Sequence, residues 1–188
     1  MPVPGPARRA VALSTLAVII SRSDPVIHRL SIAQRTLLRS LHRRKGRVAE
    51  GAYLVEGNRL IAELASSGTR PRFVAGRTER LDELAALFPS DEVRAIEGGG
   101  DDLFATDNAQ GVLAVVEMPP SAPISDALAA LPALYLDRLA DPGNLGTILR
   151  TADWFGMRLV LLSAGTADPY NPKAVRSTMG AIFRLRFS

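Results

Sequence analysis

Short apolar runs that alternate with helical segments constrain the fold of this 188-residue chain more than any other feature. Residues 112–116 are wholly apolar and contain three valines, which is typical of a strand buried on both faces. Strands that alternate with helices predict an α/β layer fold. The predicted strands are residues 52–55, 72–75, 93–96, 112–116, 133–136 and 159–162.

Helices are predicted between these strands and ahead of them. The first begins at Asp24-Pro25, because an acidic N-cap followed by proline is a common helix start. Its apolar residues share one helical face and are expected to point to the core; they are Ile27, Leu30, Leu37, Leu38 and Leu41. The other predicted helices are residues 59–65, 79–87, 144–155 and 173–180.

Positive charge is concentrated in the first third of the chain. Residues 1–60 contain eleven lysines and arginines against three acidic residues, whereas the rest contains twelve against sixteen. This asymmetry predicts a polyanionic partner, since arginine offers bidentate contacts to phosphate. A solvated helix face is the other interpretation, but the helical arginines have no acidic neighbour one turn away. The basic residues in question are Arg29, Arg35, Arg39, Arg43, Arg44, Lys45 and Arg47.

The composition of two segments predicts the domain organisation. Residues 117–124 contain three prolines and a serine, which is typical of a linker. We therefore expect a first domain at residues 19–116, a linker at 117–130 and a second domain at 131–188. Residues 1–18 contain an apolar run behind two arginines, but polar residues interrupt it and no cleavage site follows. We expect a disordered extension or a start codon placed too early, and no membrane partner.

Absent residue types exclude several classes of site. Without cysteine the chain has no disulfide, thiolate metal site or cysteine nucleophile. His28 and His42 are its only imidazoles, so a multi-histidine metal site is excluded and no metal is expected. The P-loop, the dinucleotide-binding glycine fingerprint and the GxSxG nucleophile elbow are missing as well.

The densest group of candidate functional residues lies at 136–153, where a strand, a loop and a helix follow one another. Ligands of open parallel sheets bind beyond the carboxyl ends of the strands, and the first turn of a helix favours anions. Arg150, on the polar face of this helix with Asn144, indicates an anion site. An ordinary amphipathic helix capped by Asp141 or Asn144 is the alternative. A further alternative for the whole protein is a small-ligand α/β enzyme in which the N-terminus of this helix binds another anion.

Four stretches resemble the SpoU family of RNA 2′-O-ribose methyltransferases, within the SPOUT class. Residues 141–152 (DPGNLGTILRTA) are similar to the family's motif 1. Residues 41–57 (LHRRKGRVAEGAYLVEG) and 110–116 (QGVLAVV) resemble the opening and the last strand of its N-terminal RNA-binding domain. Residues 171–181 (NPKAVRSTMGA) resemble the segment after the second strand of its catalytic domain.

The resemblance implies a ribosomal-protein-like α/β/α domain that binds structured RNA, followed by the first part of a trefoil-knot methyltransferase domain. It implies methyl transfer from S-adenosylmethionine to a ribose 2′-hydroxyl, by a cytoplasmic homodimer acting on an RNA such as 23S rRNA. The seven basic residues named above then become RNA-binding residues. Arg150 takes the place of the motif 1 arginine, which acts on the target phosphate and ribose, and Asn144 that of the motif 1 asparagine, which supports the geometry of the site. Glu56 matches a glutamate of the RNA-binding domain and is interpreted as structural.

The family's motifs 2 and 3, which build the knot and most of the methyl-donor pocket, are expected after Phe183 and are not in this sequence. The residues that bind the donor are therefore unknown, and we expect this chain to be inactive alone. A non-catalytic RNA-binding remnant is the alternative hypothesis. It predicts salt-dependent RNA binding without methyl transfer.

Overall fold

The fold is taken from a computed structural model, in which residues 27–89, 92–106, 108–123, 125 and 132–188 are described. The expectations for residues 1–18 and for a helix start at Asp24-Pro25 lie outside these ranges. The described residues form two sheets. We refer to residues 28–117 as the N-terminal unit and to residues 134–187 as the C-terminal unit.

The N-terminal unit is built on a five-stranded mixed sheet with the order β1-β4-β3-β5-β2. Its strands are β1 (His28–Arg29), β2 (Ala52–Glu56), β3 (Pro71–Arg77), β4 (Val93–Ile96) and β5 (Val112–Glu117). β4 runs parallel to β1 and β3, whereas β5 is antiparallel to β2 and β3. The apolar run of β5 is buried throughout, and only Glu117 at the end of the strand is exposed, which confirms the prediction of a strand covered on both faces.

Helices cover both faces of this sheet: α1 (Ile32–Leu41), α2 (Arg44–Glu50), α3 (Asn58–Ser67) and α4 (Leu81–Leu87). Leu38 and Leu41 of α1 pack with Leu54 of β2 on one face. On the other face α3 packs Leu60 and Leu64 against side chains of β2 and β5 that include Tyr53, Val55 and Val116. Because successive strand residues point to opposite faces, every residue of β2 is buried. The unit therefore has the expected α/β/α layers.

The first helix begins later than the sequence pattern predicted. Ser31 is its N-cap and Gln34 completes a capping box, so that the helix starts at Ile32. The residues just before it form β1, which pairs with β4, and the Leu30 N–H donates to the Ala95 carbonyl. The prediction of helix at residues 27–31 is therefore wrong, because sheet pairing and the capping box together outweigh the apolar spacing of Ile27 and Leu30.

The C-terminal unit contains a three-stranded parallel sheet in the order β6-β7-β8, with β6 at Leu134–Leu136, β7 at Leu159–Leu162 and β8 at Arg186–Phe187. Two helices accompany it, α5 (Pro142–Trp154) and α6 (Pro172–Thr178). Only two strands were expected here. The third forms because the Arg186 and Ser188 N–H groups donate to the carbonyls of Arg158 and Val160, and Leu162 N–H donates back to Ser188.

One apolar core runs through both units. Tyr53 of β2 lies against Tyr170, with ring centroids 4.9 Å apart, and Tyr170 meets Phe187 of β8 edge-on at 5.7 Å. Leu145 and Val175 of the C-terminal helices belong to the same buried cluster. Since apolar burial is the main stabilising contribution in folding, we expect the two units to unfold together. No helix in the described part of the chain is long and apolar enough to cross a membrane.

Candidate functional site

The loop between β6 and α5 is held by a network centred on Asp141. Asp141 is the N-cap of α5, where its Oδ1 accepts the Asn144 N–H at 2.7 Å, and Pro142 follows it in the first turn. Lys173 Nζ of α6 lies 3.1 Å from Asp141 Oδ2. The Asn144 N–H and then the Lys173 ammonium hold the pKa of the Asp141 carboxyl below its usual value. The sequence motif thus folds into a fixed turn that contacts α6.

Close packing of α5 against α6 decides which face of α5 is exposed. A Cβ on Gly146 would lie 2.5 Å from the Ala174 carbonyl oxygen, so only glycine allows this approach. Leu145 and Leu149 are fully buried on the same side. The opposite face is open to solvent and presents Asn144, Thr147, Arg150, Thr151 and Trp154 as exposed or half-exposed side chains.

Arg150 and Asn144, the two residues expected to act in catalysis, both lie on this open face. Arg150 is exposed, and its guanidinium forms no hydrogen bond or ion pair with any residue that the structure describes. The Asn144 side chain is also exposed and forms no hydrogen bond with a described residue, whereas the backbone N–H of Asn144 donates to Asp141 Oδ1. An exposed, unpaired guanidinium keeps all five N–H donors for a ligand and is suited to phosphate.

The arginines predicted to contact RNA differ in their surroundings. Arg29 pairs with Glu97 at 2.9 Å, and Arg39 pairs with Asp102 at 2.5 Å. Arg35 donates to the Glu97 carbonyl at 2.7 Å. These acidic partners come from residues 97–102, far along the chain, and the spacing within α1 could not reveal them. The pairs neutralise part of the expected basic face.

Arg43, Arg44 and Lys45 form the unpaired part of that face. All three are exposed at the junction of α1 and α2, and no ion pair links them to a described residue. Together with Arg35, which forms no direct ion pair with a described carboxylate although it lies near Asp102, they form the basic cluster that remains available to a polyanion.

Arg47 has a different position from the one expected of a surface residue. Its side chain is 2% exposed, and Nε and Nη2 donate to Asp168 Oδ2 at 3.0 and 2.5 Å. Its Nη1 donates to the carbonyls of Leu41 and His42. The prediction of Arg47 in a solvent-facing basic face is thus corrected, because the carbonyls that end α1 and a carboxylate of the C-terminal unit surround its guanidinium.

Glu56 forms a second ionic link between the units. Its buried carboxylate accepts the Ala105 N–H and lies 3.3 Å from Arg176 Nη1 of α6. Burial raises the pKa of the Glu56 carboxyl, and the Ala105 N–H and the Arg176 guanidinium oppose this only in part. The family resemblance had singled out both segments, but nothing in the sequence indicated that Glu56 and Arg176 are partners.

Two clefts lie where the units meet. The larger has a volume of about 950 Å³ and extends from His42 and Arg77 of the N-terminal unit to Lys173 of α6, beside the Asp141 turn. The smaller, of about 490 Å³, lies next to Glu56 and Arg176. Both volumes fall in the range of small-ligand sites.

A third cleft, of about 610 Å³, lies at the carboxyl ends of β7 and β8. Two of its hydroxyl groups are already used within the chain, since Ser163 Oγ donates to Asp137 and Thr166 Oγ1 donates to the Leu136 carbonyl. No group of three or more acidic or histidine side chains suited to a metal ion occurs in the described ranges.

Two family models match the chain in succession. The MRM3-like substrate binding domain matches residues 36–114, and the SpoU rRNA methylase family matches residues 132–188. The first match falls within the N-terminal unit, and the second begins two residues before β6. The order is the one expected from the four motif stretches.

Individual proteins show the same likeness. The chain is 34% identical, over 92% of its length, to a Synechocystis protein named an uncharacterized tRNA/rRNA methyltransferase. It is 36% identical, over 78% of its length, to the 23S rRNA (guanosine(2553)-2′-O)-methyltransferase RlmP of Bacillus subtilis. The crystal structure of an AdoMet-bound rRNA methyltransferase from Sinorhizobium meliloti superposes with a TM-score of 0.68 at 27% identity, covering 86% of this chain and 63% of that one.

The chain spans 62% of the Synechocystis relative and 58% of RlmP. Within that span, the family match at residues 132–188 contains the Asp141 turn and the open face of α5. Residues 132–188 of this chain therefore belong to the SpoU rRNA methylase family.

Proposed function

We propose that this protein transfers a methyl group from S-adenosylmethionine to a ribose 2′-hydroxyl of structured RNA, with 23S rRNA as the substrate. The observation that carries the proposal is the exposed, unpaired guanidinium of Arg150 on α5, directly after the fixed Asp141 turn. Support for the substrate comes from the names of the relatives, which include a 23S rRNA 2′-O-methyltransferase. The AdoMet-bound neighbour supports the methyl donor.

Arg150 has two roles in this proposal. Its guanidinium binds the phosphate next to the target nucleotide through charge-assisted hydrogen bonds. The same positive charge lowers the pKa of the adjoining 2′-hydroxyl and stabilises the oxyanion that forms as the proton leaves. Asn144, six residues and about one and two-thirds helical turns earlier, orients the ribose from the first turn of α5. The donor supplies the electrophilic methyl group, and no residue of this chain is assigned to hold it.

The RNA is held by the basic cluster at Arg35, Arg43, Arg44 and Lys45 of the N-terminal unit. Arg29 and Arg39 contribute less, because Glu97 and Asp102 already offset their charges. The ionic and aromatic contacts between the units keep this cluster at a fixed distance from Arg150. Glu56 acts structurally, as a link to Arg176.

The protein acts as a homodimer in the cytoplasm. Support for a second copy is the exposed apolar end of α5, where Trp154 is 86% and Phe155 is 71% exposed. A position beside Arg150 would let a partner subunit cover these rings and approach the same site. The likeness to a bacterial rRNA methyltransferase supports the cytoplasm.

The test is transfer of radiolabelled methyl from S-adenosylmethionine to 23S rRNA, with the Arg150→Ala variant beside the parent chain. We expect the variant to lose transfer at least a hundredfold while its RNA affinity changes little, because a transition-state contact is lost. Arg70→Ala is the matched control, since Arg70 is also exposed and unpaired among the described residues. RNA binding by the parent without transfer would refute transfer by these 188 residues, as expected of a chain that is inactive alone or of a non-catalytic RNA-binding remnant. Loss of RNA binding by Arg150→Ala would refute the assigned role.

A further inference from the structure

The smaller cleft between the units is lined by apolar side chains and a few polar groups, which suits a flat, partly polar ligand. We name it the Gln110 cleft. Apolar side chains form its sides, and the carboxamide of Gln110 and the Glu56–Arg176 pair supply polar groups. The residues used in the argument are Leu60, Phe104, Gln110, Val112, Arg176 and Met179. Arg176 and Met179 follow β7 in the chain and the others belong to the N-terminal unit, so both units form the site.

Gln110 is oriented by its own hydrogen bond. Its Oε1 accepts the Asn58 N–H at 2.8 Å, at the N-terminus of α3. Because only the oxygen of the carboxamide can accept this bond, the Nε2 group must point away from α3. Gly57, at a φ of 100°, makes the approach possible, since a Cβ there would lie 3.1 Å from Oε1. Gln110 is exposed and lines the cleft, and no hydrogen bond of its Nε2 to a described residue occurs.

The charges of the cleft favour a base over a phosphate inside it. Arg176, the cation of its wall, already pairs with Glu56 at 3.3 Å. A nucleobase has apolar faces and a hydrogen-bonding edge, and proteins read single-stranded RNA by stacking such faces and bonding such edges. Arg59 borders the cleft, is exposed and has no ion-pair partner in the described ranges, so that it is placed to meet the attached phosphate.

We propose that the Gln110 cleft binds one unstacked base of the RNA substrate and that Gln110 Nε2 donates a hydrogen bond to an acceptor on the edge of that base. This inference rests on the RNA function proposed above and adds a specificity-determining residue to it. Gln110 acts on recognition of the RNA, not on the transfer step.

Gln110→Glu tests the donor while keeping the fold. The carboxylate retains an oxygen for the Asn58 N–H, and a negative charge at a helix N-terminus is favourable, but the donor becomes an acceptor. Gln34→Glu is the matched control, because Gln34 Oε1 likewise accepts a helix-capping N–H, from Ser31 at 2.9 Å, away from the cleft. Thermal unfolding of both variants is expected to match that of the parent. Affinities are measured for a 23S rRNA transcript and for a blunt RNA duplex.

We expect Gln110→Glu to lower the affinity for 23S rRNA by about tenfold, the upper end of the effect of one hydrogen bond, and to weaken duplex binding no more than Gln34→Glu does. An equal loss on both RNAs, or no loss on 23S rRNA, overturns the base contact. A parent chain that binds both RNAs equally overturns the base contact and leaves RNA binding intact. A parent chain that binds neither RNA overturns the proposed function as well.

Ultraviolet cross-linking of the parent chain to 23S rRNA gives a measurement that does not depend on a variant. Peptides that contain Phe104, Gln110 or Met179 are expected among the cross-linked products. Cross-links confined to α1 and α2 would overturn the assignment of the cleft.

Discussion

Replacing Asp168 by alanine is expected to destabilise the chain more than any other loss of a single surface or interface carboxylate. Asp168 pairs with Arg47, whose side chain is 2% exposed, and is itself 15% exposed. The substitution leaves Nε and Nη2 of Arg47 without an acceptor in a site that water scarcely reaches. A buried donor without a partner costs about 1–3 kcal/mol, which gives about 2–6 kcal/mol for two donors. Breaking a buried ion pair typically costs about 3–5 kcal/mol, in agreement.

Asp102→Ala is the control that isolates the effect of burial on the free energy lost with an ion pair. The Arg39–Asp102 pair has the same 2.5 Å separation as the shortest Arg47–Asp168 contact, but its side chains are 50% and 56% exposed. Its loss is expected to cost far less than the loss of Asp168, because solvent screens an exposed ion pair. Urea unfolding followed by circular dichroism measures both variants, with the slope against denaturant checking that the transition keeps its cooperativity.

The double variant Arg47→Met with Asp168→Leu completes the test. Apolar side chains of similar volume remove the stranded charge, and we expect them to recover most of the lost stability. If Asp168→Ala costs no more than Asp102→Ala, the argument from burial fails. If the double variant is as unstable as Asp168→Ala, the cause is lost packing, the lost acceptor of the Tyr170 N–H or the lost donor to the Leu41 and His42 carbonyls, not the unpaired charge.

Two further predictions concern pH and salt. Because the folded-state pKa of Glu56 is raised above its ordinary 4.5, its contribution to stability is full below that value and is lost as pH rises through the folded pKa. Glu56→Gln should therefore gain stability relative to the parent as pH rises from about 4 to about 8, by urea unfolding across that range; parallel profiles would contradict this. Arg43→Ala should lower the slope of log RNA affinity against log salt concentration by about one. Arg39→Ala should lower it less, because Asp102 already offsets its charge, and equal slopes for both variants would restore the solvated-face interpretation.

The apolar periodicity of the sequence predicted most elements of the fold because their burial is local information. The strands at 93–96 and 159–162 were predicted with the bounds that they have in the structure. The errors occur where a distant partner decides. β1 and β8 are two residues long and form only through pairing with β4 and β7, so no pattern in their own residues could predict them.

In the candidate site too, local patterns predicted some residues, whereas distant partners decide the position of others. Arg150 and Asn144 were predicted because a helix face and a family motif single them out within twelve residues, and the structure places both on the open face of α5. Arg47 was misplaced because its partner lies 121 residues away, and α1 gave no sign of the acids at Glu97 and Asp102. Gln110 had drawn attention only as the start of a strand. Its orientation depends on Asn58, 52 residues earlier, which the sequence does not reveal.

The link between Arg47 and Asp168 also has a consequence for synthesis on the ribosome. The two residues are 121 positions apart, and at about 5–20 residues per second the second follows the first by roughly 6–24 s. During that interval the N-terminal unit holds an apolar face, with Tyr53 on it, whose cover has not yet been made. Until the C-terminal unit has been synthesised, Arg47 has no Asp168 to pair with and the apolar face has no cover. The buried ion pair and the apolar core between the units can therefore form only at the end of synthesis.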